Sequence, residues 1–144
     1  MNSLVLDSCA LVKLVWTEPD ADLVERIAHR VFTQGGQIVV LDFALVECAQ
    51  TLWKLFHRKL MEAGQVINLL SQLQSFPLVH MPSLPLLADA TALAVAYDRS
   101  VYDMLFVSLT KKLNVIGVTA DNALVNAVGG FEKQIKLISD PTLG

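Results

Sequence analysis

Four carboxylates, Asp7, Glu47, Asp103 and Asp121, stand where a divalent-metal site would want them. Asp7 ends the apolar run Leu4-Val5-Leu6, and Asp121 follows Val115-Ile116-Gly117-Val118-Thr119. Glu47 and Asp103 lie inside helix-like stretches. Apolar neighbours make an unpaired negative charge costly to desolvate, so an acid tolerated there usually has a cation, a hydrogen-bond partner or a catalytic job. If all four converge, the occupant their chemistry favours is a hard, oxygen-seeking ion, Mg²⁺ or Mn²⁺.

Each acid also has a purely structural explanation. Asp7 and Asp121 can cap the helices that follow them. Asp103 follows Ser100 at the Ser-x-x-Asp spacing of a capping box, and Glu47 suits a first turn because of the helix dipole. Two acids at strand ends and two on first turns, taken together, point to one shared cleft.

The elements that must position them alternate between strand and helix. Leu4–Leu6, Gln37–Leu41, Leu78–Met81, Val115–Thr119 and Gln134–Ile138 are the expected strands. Helices are expected over Ser8–Trp16, from Asp20 to the Gly35-Gly36 stop, after a cap at Asp42, over Glu62–Phe76 with an interruption at Gly64, from Pro85 to Tyr97, over Ser100–Leu113 and over Asn122–Val128. This alternation implies an α/β fold with three α/β/α layers around a central, mostly parallel five-stranded sheet, in one domain spanning 1–144. Ligands of such sheets bind beyond the carboxyl ends of the strands, where Asp7 and Asp121 stand.

Hydrophobic content of 53% with 17% charged residues fits strands buried on both faces, an oligomer interface, or both. No stretch is long and apolar enough to span a bilayer, and the first residues lack the basic region of a signal peptide. A cytoplasmic protein is therefore expected. The net charge of −3 lacks the global basic footprint of a DNA-binding domain, although four acids in one pocket would mask a local basic rim. Cys9 and Cys48 read as buried thiols rather than a disulfide framework or a zinc site.

At these residues the chain resembles the PIN-domain family. Leu4-Val5-Leu6-Asp7-Ser8 is similar to its opening motif, and Leu45-Val46-Glu47-Cys48-Ala49-Gln50-Thr51-Leu52-Trp53 to its second. Ser100-Val101-Tyr102-Asp103 resembles its YDAxYxxLA motif, and Val118-Thr119-Ala120-Asp121-Asn122 its final TAD motif. The ordered set runs through nearly the whole chain and is similar to small prokaryotic PIN proteins of the VapC toxin type. The resemblance implies an endoribonuclease using Mg²⁺ or Mn²⁺, with Asp7, Glu47, Asp103 and Asp121 as metal ligands and Thr119 as a supporting hydroxyl. It also implies a homodimer or larger assembly, and a VapB-like antitoxin that inserts a side chain, often basic, at the acidic site. The helices at Ala21–Phe32 and Glu62–Phe76 are candidates to bind either partner.

This chain departs from the family pattern at Cys9, where many relatives carry Ser or Asn. A thiol is a poorer hydrogen-bond partner than a hydroxyl, so Ser8 is the candidate to orient Asp7 instead. Met104 replaces the usual small residue after the third acid. RNA grip must come from cations: Lys54, His57, Arg58 and Lys59 share one helix, with Lys13, Arg99, Lys111 and Lys112 as further candidates. His29, His57 and His80 show no ligand spacing.

Two other classes compete with an enzyme. A receiver-like signalling domain needs a phosphorylatable Asp at the end of its middle strand, and the third strand here ends His80-Met81-Pro82-Ser83 without one. A catalytically silent PIN-fold interaction or regulatory protein would be expected to have lost acids, and this chain keeps all four.

Overall fold

The computed structural model describes residues 3–130 and 132–143. Strands β1 (Leu4–Leu6), β2 (Ile38–Leu41), β3 (Leu78–Met81), β4 (Ile116–Thr119) and β5 (Ile135–Leu137) form one sheet in the order β3-β2-β1-β4-β5. All four pairings are parallel. Parallel neighbours need crossovers, which α1 (Ser8–Leu11), α2 (Ala21–Thr33), α3 (Ala44–His57), α4 (Ala63–Ser75), α5 (Leu87–Tyr97), α6 (Val101–Leu113) and α7 (Asn122–Val128) supply.

Successive side chains of a strand point to opposite faces, and here both faces are covered. Leu4, Leu6, Ile38, Val40 and Val118 pack with buried residues of α1 to α4, including Leu11, Val24, Cys48 and Leu73. Val5, Val39, Leu41 and Ile135 pack on the other side with Ala90, Met104, Phe106, Leu109 and Leu124 of α5 to α7. This double burial explains the apolar composition and gives the three-layer α/β/α architecture.

Several local expectations change. The first helix is only Ser8–Leu11, followed by a 3-10 turn at Val12–Leu14. Gly64 lies in the first turn of α4 without breaking it, and a reciprocal Glu62–Gln65 capping box secures that end. Pro85 belongs to a 3-10 turn, Leu84–Leu86, before α5. Asp42 does not cap α3: its Oδ2 accepts the Ser83 backbone N–H at 3.1 Å, tying the end of β2 to the segment after β3. The strand ending at Met81 is an edge strand rather than the middle one, so its lack of an acid does not bear on the receiver alternative. The central strand is β1, which runs into Asp7. The observed strand order also differs from the receiver order 2-1-3-4-5.

The connections change direction on either side of β1, with β2 on one flank and β4 on the other. Such a switch point leaves a crevice beyond the strand ends. Gly117 helps bring α6 there. A Cβ on it would stand 2.5 Å from Thr110 Oγ1 and 3.0 Å from Phe106 Cζ, so the bare Cα lets α6 lie close against β4.

Candidate active site

A cleft of about 280 Å³ at this crevice is lined by Asp7, Ser8, Cys9, Glu47, Tyr102, Asp103, Ala120 and Asp121. All four sequence-identified acids therefore share one opening, although they come from widely separated parts of the chain.

Asp7 leaves β1 as the N-cap of α1. Its Oδ1 accepts the Ser8 N–H at 2.9 Å, and its Oδ2 accepts the Thr119 hydroxyl at 2.9 Å. Thr119 is fully buried at the end of β4, and its oxygen also accepts the Asp121 N–H at 3.1 Å. One hydroxyl thus joins the first acid to the backbone of the fourth. Burial pushes the Asp7 carboxyl above its ordinary range, against the lowering effect of Thr119 and Ser8, and the nearby Asp103 charge adds to the rise. Glu47, on the first turn of α3, is also raised by burial and by Asp7 and Asp103, while a hydrogen bond from the Ser8 side chain opposes this.

Cys9 fills the place expected of a hydroxyl. Its sulfur accepts the Ala120 N–H at 3.4 Å and lies 3.3 Å from Thr119 Oγ1 and 3.5 Å from Asp7 Oδ2. Burial pushes the Cys9 thiol up to about 12, and the Asp7 charge adds to this, so it stays neutral. Its weak donor adds little to Asp7, but its acceptor role fixes the Thr119–Asp121 turn. Both cysteines are free, and Cys48 is buried in the core beside α1.

Asp103 and Asp121 have a different partner. Ser100 caps α6 by accepting the Asp103 N–H at 3.0 Å, and Asp121 caps α7 by accepting the Leu124 N–H at 3.0 Å through Oδ1. The Arg99 guanidinium lies between them. Its Nη2 donates to Asp103 Oδ2 at 2.9 Å and to Asp121 Oδ2 at 3.5 Å. Asp7 and Asp121 therefore do cap their helices, whereas at Asp103 the cap is made by Ser100 alone and the Asp103 carboxylate returns no bond to the Ser100 backbone. Capping does not use up the carboxylates of Asp7 and Asp121, since each ionised oxygen accepts more than one bond.

Among the described residues, no three His, Cys, Asp or Glu side chains are arranged as they stand to hold a metal ion. The donor set nevertheless suits a hard divalent cation, because it consists of carboxylate oxygens. Asp7 and Glu47 are both pushed up by burial, and among the described residues neither forms an ion pair.

The other sequence candidates sit elsewhere. Lys54 and Arg58 are exposed toward the far end of α3, with Lys54 about 10 Å along the axis from Glu47. Lys13 pairs with Glu18 and donates to the Pro19 carbonyl, and Lys111 pairs with the buried Glu132. Tyr102 lines the cleft and packs edge-on against Phe43. Sequence reasoning placed Arg99 only among rim cations. Its i, i+4 spacing to Asp103 was the available signal, but nothing local pointed to Asp121.

Comparisons with known proteins identify the family and the fold. The PIN-domain family profile matches residues 4–129. The chain is 32% identical over 124 residues to the protein named Ribonuclease VapC3 of Pyrobaculum aerophilum, covering 84% of this chain and 91% of that one. The crystal structure of PAE2754 from the same organism superposes with a TM-score of 0.72 at 19% identity, covering 94% of this chain and 90% of that one, a likeness of fold. With its ordered motifs, parallel sheet and acid-lined switch point, the chain belongs to the PIN-domain family.

Proposed function

We propose that the protein is a metal-dependent endoribonuclease that hydrolyses RNA phosphodiester bonds, and the toxin of a VapBC-type toxin–antitoxin pair. The observation that carries this reading is the convergence of Asp7, Glu47, Asp103 and Asp121 on one cleft. Similarity to a protein named as a VapC ribonuclease over 84% of the chain supports it. The four carboxylates would hold Mg²⁺ or Mn²⁺, whose chemistry when bound is to lower the pKa of bound water and stabilise charge at the phosphate. Thr119 and the Ser8 N–H orient Asp7 for that role, as outer partners of a metal ligand generally do. The Asp121 N–H holds Thr119 in turn. Lys54 and Arg58 serve as phosphate contacts away from the acids.

The partners follow the exposed apolar surface. Val46, Trp53, Phe56, Leu60 and Ile67 expose apolar area on α3, α4 and the turn between them, a face suited to a VapB-like antitoxin or a second subunit of a homodimer. The apolar stripe of α2 is different: Val24, Ile27, Ala28 and Val31 are in the core. No helix among the described residues is long and apolar enough to cross a membrane, and a cytoplasmic setting fits the proposed partners.

One observation favours the catalytically silent alternative: Arg99 already neutralises part of the acidic cluster. Mn²⁺ titration separates the two. The ribonuclease reading expects saturable binding with a rise in melting temperature, and chelator-sensitive cleavage of a fluorogenic RNA oligonucleotide that Asp103→Asn abolishes. No Mn²⁺ binding, or undiminished cleavage by purified Asp103→Asn, overturns it.

A further inference from the structure

Arg99 is the only basic side chain among the described residues that pairs with the acids of the cleft, and its root is held firmly. α5 ends at Asp98, which adopts a left-handed conformation with φ 52°. The Arg99 N–H then donates to the Ala94 carbonyl at 3.2 Å, and the next residue, Ser100, caps α6. The backbone is thus fixed between two helices, and only the side chain is free to change partners.

The guanidinium is incompletely used. A single nitrogen, Nη2, serves both Asp103 and Asp121, while Nε is buried without a hydrogen-bond partner. Arginine offers five donors in a planar fork suited to bidentate bonding with carboxylate or phosphate. Here the fork is placed by charge and not by paired geometry. A buried, unpaired N–H disfavours this arrangement, which therefore lasts only while nothing better neutralises the two acids.

We infer that Arg99 is an exchangeable counter-cation: it bridges Asp103 and Asp121 in the metal-free protein, yields them to a divalent ion, and turns its fork to a phosphate of the RNA backbone. The inference rests on the ribonuclease reading of this cleft. Its physical basis is competition, since a divalent ion and a guanidinium on the same carboxylate oxygens repel each other. Displacing Arg99 weakens metal binding, and releasing it beside the acids supplies the phosphate donor that an acidic cleft otherwise lacks.

The prediction is a pair of opposite effects in Arg99→Gln. Calorimetric titration with Mn²⁺ alone should show affinity at least about 5-fold tighter than wild type, the lower end of common coupling between two ligands. Cleavage of a fluorogenic RNA oligonucleotide in saturating Mn²⁺ should show KM raised by about 5-fold or more for the same reason. Arg99→Lys keeps the charge without the fork, so its Mn²⁺ affinity should stay near wild type while its KM rises. Circular dichroism confirms folding of each variant, and Arg99→Lys carries the test if Arg99→Gln does not fold. Unchanged or weaker Mn²⁺ binding in Arg99→Gln overturns the competition, as does a large change in Mn²⁺ affinity in Arg99→Lys. An unchanged KM in the folded variants overturns the transfer to phosphate. Wild-type protein that cleaves RNA with Mn²⁺ while the variants behave this way sinks only the Arg99 exchange, whereas wild type that neither binds Mn²⁺ nor cleaves sinks the ribonuclease reading with it.

Discussion

The two sides of the acidic cleft are held by opposite means. Asp7 is fixed by neutral donors, the Thr119 hydroxyl and the Ser8 N–H. Asp103 and Asp121 are bridged by the charged Arg99 guanidinium. Neutral donors orient a carboxylate and leave its full charge for a cation, whereas a guanidinium neutralises what it holds and must be displaced. Burial pushes up the carboxyls of Asp7 and Glu47, and the charge of Asp103 adds to the rise at both. On the proposed reading, the Asp7 side is preorganised for an ion and the Arg99 side holds a substitute for one.

The largest break in this contrast should come from Asp7→Asn. Loss of outer partners of a metal ligand typically costs about 10- to 100-fold, so removing the ligand's charge should cost RNA cleavage about 100-fold or more. The melting temperature without metal should not fall, because the amide removes a buried negative charge. Retained cleavage at equal purity would show that Asp7 is only a helix cap.

Thr119→Val should come next. The variant keeps the shape but removes the hydroxyl that serves Asp7 and the Asp121 N–H. Cleavage should drop about 10- to 100-fold, and denaturant unfolding should show a loss of about 1–3 kcal/mol. A loss of stability with full activity would separate folding from the orientation of Asp7.

The two sides should also differ in their response to pH. Asp7 and Glu47 are raised from ordinary values of 3.8 and 4.5, so above those values the folded chain binds more protons than the unfolded one. Their contribution to stability is fully present below the ordinary values and is lost as pH rises through the raised ones. In chelator, the melting temperature of wild type should therefore fall more between about pH 4 and about pH 7 than that of Asp7→Asn. Parallel profiles would mean that burial does not hold the Asp7 carboxyl up.

Cys9→Ser should have the smallest effect. A hydroxyl keeps the acceptor for the Ala120 N–H and strengthens the donor toward Asp7 or Thr119. Cleavage should change less than about 10-fold, below the usual cost of losing such a partner. A larger loss would give the sulfur a specific role in shaping the turn at Ala120.

Much of this arrangement was legible along the chain because its causes are local. Apolar runs marked the strands, and Ser100 three residues before Asp103 marked the start of α6, as the structure shows. Asp42 misled because a helix cap and a strand-end tie look alike in sequence, and its actual partner, Ser83, lies 41 residues away. The third strand was mistaken for the middle of the sheet because order along the chain does not give order in space. The contact that orients Asp7 beside Cys9 is likewise distant along the chain. The donor to Asp7 comes from Thr119, 112 residues later.

The sequence by itself determined that four acids would stand at strand ends and helix first turns, since hydrophobic period, caps and turn residues act over a few positions. Only the tertiary structure decided how their charge is shared. Placing β4 beside β1 set Thr119 against Asp7, and the left-handed turn at Asp98 set Arg99 where it reaches Asp121, 22 residues on. Hydrogen bonds and charges act over a few ångströms of space, and spacing along a chain does not specify those distances.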